Sequence, residues 1–233
     1  MSSTFITYGT QRYYNSLHRI NDEATKMPFN KIYAFNDSDL PKFTEFWERH
    51  RDFILGNPRG GGYWLWKPFL VKMVLESMAE NDVLVWADAG CTLVPEKAPR
   101  LLEYFEMARS HGIVTFELTA FPHKSWSKMD TVIAMNTQDK LDIPQIIATS
   151  FIICKRPDTV ELVNKWYELC SNYHLLDDSP STTPNDPTFQ DHRHDQIILS
   201  MLVRNQFEKG VLTDETWPPN DPNKGPIRAS RLS

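Results

Sequence analysis

Apolar and polar residues along this chain switch repeatedly between two periods. Phe5-Ile6-Thr7-Tyr8 is a short apolar run ending at Gly9, and Lys31-Ile-Tyr-Ala-Phe35 is another. Between them Leu17, Ile20 and Ala24 recur at helical spacing, which predicts a helix over 11–27 and a strand–helix–strand unit. Asp39 followed by Pro41 predicts a second helix, with Phe43, Phe46 and Trp47 on one face. Pro68 predicts the start of a third, carrying Leu70, Val71, Val74, Leu75 and Met78. Val83-Leu-Val-Trp-Ala87 has no polar alternation and reads as a strand covered on both faces.

The same alternation continues. A helix near 97–110 stops at Gly112, Ile113–Phe116 forms a strand, and Ile147 to Cys154 another. Asp158 and Glu161 form a capping box for a helix with Val160, Val163, Trp166, Tyr167 and Cys170, and a last helix covers 194–206. Strands alternating with helices over 233 residues predict one α/β domain, 1–233, with a largely parallel sheet. Residues 174–193, rich in Asp, Ser, Thr and Pro, are expected to form a long surface loop, and 213–233 an extended tail.

A net charge of −5 without a basic stripe argues against nucleic-acid binding. Arg49-His50-Arg51, between Glu48 and Asp52, is expected to be a solvated helix face. Cys91, Cys154 and Cys170 lie in apolar contexts without metal-ligand spacing, which suits buried thiols in a reducing, cytoplasmic setting. The first residues carry no signal-peptide pattern, and no apolar stretch approaches the ~18–20 residues of a membrane span. Seven Trp suit core packing first and carbohydrate contact second.

Candidate chemistry gathers where the apolar Val83 run breaks into Asp88-Ala89-Gly90-Cys91. A carboxylate at the C-terminal end of a buried strand faces the crevice where open α/β sheets bind ligands, and it can hold a divalent cation. Ala89 and Gly90 are small enough for close backbone approach. Upstream, Gly60-Gly61-Gly62 is a permissive loop, and the aromatic block Tyr63-Trp64-Leu65-Trp66 follows it. Lys67 then falls at a helix start, where an anion is already favoured. His192-Arg193-His194-Asp195-Gln196 opens the last helix. Asp195 there is either a favourable charge against the helix dipole or, with Gln196, a polar pair facing sugar hydroxyls, and the histidines are possible metal ligands. Thr7, Tyr8 and Gly9 end the first strand, where Tyr8 can stack on a base. Lys128 and Gln145 are weaker candidates.

The ordered set of these three motifs resembles GT-A-fold nucleotide-sugar glycosyltransferases, notably short enzymes of bacterial surface-polysaccharide clusters and glycosyltransferase domains of chloroviruses, large algal viruses. The resemblance spans nearly the whole chain. It implies a three-layer α/β/α fold and transfer from a nucleotide diphosphate sugar, UDP-linked by expectation, to a glycan hydroxyl, with Mn2+ or Mg2+ at an Asp-x-Asp motif. Asp88 matches the first acid of that motif, and Gly90 stands at the second. Asp195 and Gln196 match a pair under the donor sugar in retaining members, and Lys67 a basic residue on the preceding helix. Retention of configuration, a viral origin with residence in host cytoplasm, and fusion to further domains are the accompanying expectations. A sugar nucleotidyltransferase and a non-catalytic nucleotide-sugar or glycan-binding module are the alternatives. Gly9-Thr10-Gln11-Arg12 is a poor version of the loop the former requires.

Overall fold

The computed structural model describes residues 1–232. Its strands are β1 (Ser3–Gly9), β2 (Lys31–Asn36), β3 (Val83–Ala87), β4 (Thr92–Leu93), β5 (Ile113–Pro122), β6 (Pro144–Ile146), β7 (Ser150–Cys154), β8 (Val211–Thr213) and β9 (Ile227–Arg228). The longer helices are α1 (Tyr14–Ala24), α2 (Thr44–Gly56), α3 (Trp66–Ser77), α4 (Ala98–His111), α5 (Pro157–Cys170) and α6 (His194–Gln206).

Alternate residues of the central strands feed two separate cores, and this produces three layers. Ile6, Leu84, Trp86, Phe151 and Ile153 face one side, against Leu70 and Val74 of α3, Leu162 and Trp166 of α5, and Ile198 of α6. Phe5, Val83, Val85 and Ile152 face the other, against Ile20 of α1 and Leu101, Tyr104 and Phe105 of α4. The expected α/β/α layering is therefore present.

The main sheet has seven strands in the order β2-β1-β3-β7-β5-β6, with β8 on β5. β1 runs parallel to both β2 and β3, so the first strand–helix–strand unit forms as read. β7 is antiparallel to β3 and β5, and β6 is antiparallel to β5, so the sheet is mixed beyond its parallel β2-β1-β3 half. The consequence is local: the C-terminal end of β3 and the N-terminal end of β7 meet at one edge, and Asp88 N–H donates to Thr149 O at 2.9 Å.

Several sequence expectations move. Pro41 lies in a separate 3-10 turn, Leu40–Lys42, and α2 starts after it. The box opening α5 joins Arg156 and Thr159, while Asp158 pairs with Arg156. The strand expected from Ile147 starts at Ser150, after β6. Arg49 and Arg51 are exposed, but His50 is buried between the hydroxyls of Tyr173 and Tyr167, at 2.8 and 2.9 Å. Burial pulls its imidazole down to about 4. The three cysteines are free and buried, as expected. Among the described residues, no helix is long and apolar enough to cross a membrane.

The glycine run becomes a left-handed turn. Gly60, Gly61, Gly62, Tyr63 and Trp64 have φ of 59°, 58°, 87°, 52° and 61° in succession. Left-handed helical backbone costs an L-residue roughly 1–2 kcal/mol, so glycine takes the positions where the cost is removable. The indole N–H of Trp66 donates to Gly60 O at 2.9 Å and ties the turn to the start of α3. A β-carbon on Gly62 would fall 2.9 Å from the Ile54 backbone. Gly62→Ala is expected to lower stability by about 1–3 kcal/mol in chemical denaturation. Gly56→Ala, whose β-carbon meets nothing within 4 Å, is expected to be neutral or slightly stabilising. Equal behaviour of the two variants would show that the turn is not sterically fixed.

Candidate active site

The left-handed turn delivers Lys67 into the interior. Pro68 fixes the first turn of α3, and Lys67 beside it is only 3% exposed. Its ammonium donates to Ala148 O at 3.1 Å, lies 3.0 Å from Asp88 Oδ1, and stands 3.6 Å from Asp195 Oδ2. The ammonium thus sits among one carbonyl and two carboxylates, with Asp195 Oδ2 just beyond hydrogen-bonding distance. Lys67 therefore holds two carboxylates rather than extending toward a diphosphate, which differs from the direct contact expected.

Asp88 is fixed from several sides. Its Oδ1 also accepts the Trp86 indole N–H at 2.9 Å, and its own carbonyl accepts Cys91 N–H at 2.8 Å in the turn that follows. Arg19 of α1 reaches the same turn, donating to Ala89 O at 3.0 Å and Cys91 O at 2.8 Å, while Glu23 braces both Arg19 and Leu93 N–H. Gly90 has a packing reason. Its carbonyl accepts Leu232 N–H at 3.0 Å, and a β-carbon there would stand 3.0 Å from Leu232 O. A side chain at position 90 would press on the tail, which would have to give by a few tenths of an ångström.

Asp195 arrives from the opposite side. It lies in the first turn of α6, 4% exposed, and its carbonyl accepts the Trp166 indole N–H at 2.9 Å. Oδ2 has no hydrogen-bond partner, because Lys67 stops just beyond bonding distance. Burial is the strongest influence on this carboxyl and lifts it to about 6 against the pull of Lys67, with Asp88 adding to the rise. Burial also acts to lower the Lys67 ammonium, but Asp195 and Asp88 outweigh it and the net shift is upward. The pair is thus a firmly charged lysine beside an acid near the edge of ionisation.

These groups floor a cleft of ≈ 310 Å³, whose lining also includes Arg59, Trp64, Trp126, Thr149, Arg193 and Gln196. Gln196 is partly committed: its Nε2 donates to Gln145 Oε1 at 2.9 Å and its Oε1 accepts Ala148 N–H at 3.3 Å. Lys67, Asp88, Asp195 and Gln196 therefore meet, as the motifs suggested. Thr7, Tyr8, Gly9, Trp66, Ala89 and Gly90 do not line this cleft. Tyr8 is buried with its ring 4.0 Å from that of Trp66, and Thr7 Oγ1 is buried without a partner. Lys128 is buried and donates to Asp177 and Ser179, so it anchors the 174–193 segment. Asp130 binds the same segment through Thr182 and Thr183.

The expected donor set does not fit a divalent ion. Asp88 and Asp195 converge on an ammonium, and position 90, a glycine, offers no side-chain ligand. His192 has both ring nitrogens engaged, with Lys128 N–H and Leu175 O, and burial pushes it down to about 3. His194 contacts Asp178 at 2.9 Å and is stacked on Tyr63, with ring centroids 4.9 Å apart. Among the described residues, no group of three His, Cys, Asp or Glu is arranged to hold a metal ion.

Sequence reading passed over Arg193 as a site residue. Its guanidinium lies against both Phe121 and Trp126, 4.5 and 4.3 Å from the centroids of two rings that also contact each other. Those partners lie some seventy residues away, and no local pattern announces the contact. Arg59 preceded the glycine run in plain view, and it bridges Asp178 and Asp191 at 2.9 and 2.6 Å across the cleft wall.

No family model and no curated protein sequence matches this chain. Solved structures do match its fold. A glycosyltransferase involved in glycosylating the major capsid of PBCV-1 superposes with a TM-score of 0.54 at 11% identity, covering 100% of this chain and 96% of that one. The bifunctional glycosyltransferase WbbM superposes with a TM-score of 0.50 at 9% identity, over 100% of this chain and 46% of its own. The fold is that of the GT-A glycosyltransferases.

Two outcomes test the buried triad. Lys67→Met, which strands the buried Asp195 carboxylate and leaves the partly exposed Asp88 unpaired, is expected to cost about 3–5 kcal/mol in urea denaturation, with much of it regained when Asp88→Asn and Asp195→Asn are added. Recovery of nothing would mean that Lys67 acts by packing alone. Because the folded carboxyl of Asp195 sits near 6 rather than its ordinary 3.8, the folded state holds a proton there that the unfolded chain has released. The stability attached to that proton is complete below about 3.8 and lost as pH rises through about 6. Wild type should therefore lose stability relative to Asp195→Asn between these values. A constant difference would return Asp195 to an ordinary carboxylate.

Proposed function

We propose that this protein transfers a sugar from a nucleotide diphosphate sugar to a glycan hydroxyl. The observation that carries this reading is Asp88 and Asp195 meeting on one buried ammonium, at the floor of a cleft at the strand ends of a GT-A sheet. At ≈ 310 Å³ the cleft is at the small end of ligand pockets, which run to ~1,000 Å³, and suits the sugar with its adjoining phosphate.

The chemistry asks for negative charge beside the anomeric carbon and positive charge beside the leaving diphosphate. Asp195 answers the first. Its carboxyl group lines the cleft and is already largely out of water, so it has little solvation to lose as the oxocarbenium-like centre develops. Lys67 and Trp166 keep that carboxylate in place, and Lys67 with Trp86 does the same for Asp88, which is turned toward the donor's hydroxyls. As the C1–O bond breaks, its electron pair passes to the diphosphate. The acceptor oxygen bonds to C1, and its proton leaves with the diphosphate. The likeness of the Asp195-Gln196 pair to the pair under the donor sugar in retaining members supports retention of configuration. UDP is the donor nucleotide favoured by the sequence resemblance.

Incubation with a panel of UDP- and GDP-sugars, with and without Mn2+, tests the reading. Slow release of free nucleoside diphosphate is the expected outcome, with Asp195→Asn lowering turnover at least about a hundredfold, in line with loss of an electrostatic stabiliser. Pyrophosphate release from nucleoside triphosphate would mark a nucleotidyltransferase instead. Tight binding without turnover would mark a binding module.

A further inference from the structure

The other permanently charged side chains that line the cleft are already paired. Lys67 stands between Asp88 and Asp195, and Arg59 bridges Asp191 and the neighbouring Asp178. Arg193 lines the same cleft half-buried, and its guanidinium makes no hydrogen bond and no ion pair among the described residues. Trp126, 4.3 Å from it, is also half-buried and also lines the cleft. Backbone hydrogen bonds hold the two residues together: Arg193 N–H donates to Trp126 O at 3.1 Å, and Gln190 N–H to Ser125 O at 2.8 Å. Their position along the sheet is equally informative. β5 runs in the same direction as β3, because both are antiparallel to β7, which lies between them. Its C-terminal end carries Phe121, and Trp126 follows soon after. Arg193 and Trp126 therefore lie on the opposite flank of Asp88 from β1 and β2, the parallel strands whose C-terminal ends suit a nucleotide.

We infer that Arg193 and Trp126 form the acceptor subsite of the cleft, and that the acceptor they select is an acidic sugar, one bearing a carboxylate or phosphate group. The inference rests on the donor reading above, with the nucleotide on the β1–β2 flank. A guanidinium offers forked N–H donors that match the paired oxygens of either anionic group, and such charge-assisted bonds are the strong ones. Arg193 is already half out of water with no protein partner, so an arriving anion displaces no existing ion pair. Trp126 supplies an apolar ring for the sugar's C–H face. A neutral sugar would use the indole and leave the cation unanswered. The nearby acid does not compete for Arg193, because Asp191 is held by Arg59 at 2.6 Å. Asp195 lines the same cleft, so an acceptor seated against Trp126 is within the space where the donor's C1–O bond breaks.

Calorimetric titration of the whole protein in Mn2+ tests this, first with UDP and GDP, then at saturating nucleotide with matched sugars. The pairs are methyl glucuronide against methyl glucoside, and glucose 6-phosphate against glucose. The expected result is an acidic member bound about tenfold more tightly than its neutral partner, and the pair that shows it distinguishes carboxylate from phosphate. Arg193→Gln should abolish that preference while leaving the UDP Kd within about twofold, and Arg193→Lys should keep part of it. Trp126→Ala should weaken acidic and neutral members alike. Equal binding within both pairs, or binding of none of the four sugars, overturns the inference and leaves the donor reading standing. Loss of UDP affinity in Arg193→Gln also overturns it, because the cation would then serve the donor's diphosphate. Failure of the wild type to bind UDP and GDP overturns the donor reading, and the acceptor assignment with it.

Discussion

An ammonium buried between two carboxylates is the constraint around which this molecule is arranged. Taking Lys67 and Asp195 out of water, with Asp88 partly so, carries a desolvation penalty that only close, well-oriented partners offset. The fold supplies them from three directions. The left-handed turn at Gly60–Trp64 positions the lysine, the end of β3 positions Asp88, and the first turn of α6 positions Asp195. Two tryptophans then hold the acids, Trp86 through a side-chain oxygen and Trp166 through a backbone carbonyl. Such a cluster is valuable as geometry: its members cannot separate without exposing an unpaired charge in a dry interior.

Around that cluster the 174–193 segment forms a wall rather than a free loop. Lys128, Asp130 and Arg59 each capture part of it, and His194 reaches back to Asp178. Polar composition suggests a surface loop for the segment, but composition says nothing about partners some fifty or more residues away in sequence. Its rigidity is a tertiary property.

The same division runs through the site. Lys67, Asp88, Asp195 and Gln196 were legible because strand ends, glycine runs and helix starts are local signals that put side chains at one edge of an α/β sheet. The layers were legible for a related reason, since each central strand feeds both cores. The antiparallel entry of β7 was not, because an apolar run has no direction. Lys67's true partners were hidden as well: sequence places a lysine beside a proline, and only packing reveals that its donors are spent inside. His50 shows the converse error, a histidine between two arginines that points inward because two tyrosine hydroxyls await it. Tyr8, placed by sequence where a base could stack, has its ring 4.0 Å from that of Trp66.

Gly90 and Leu232 tie the tail to the Asp88 turn by a backbone hydrogen bond. That bond has a meaning for the order of assembly. β1, α1 and β2 are neighbours in sequence and can pair as soon as they emerge from the ribosome. The cleft cannot, because its parts come from residues near 67, 88 and 195. A nascent chain that has made the whole central sheet still lacks the segment that lies across the Asp88 turn. The scaffold is early and the site is late, so the pocket is completed only after most of the domain has already folded.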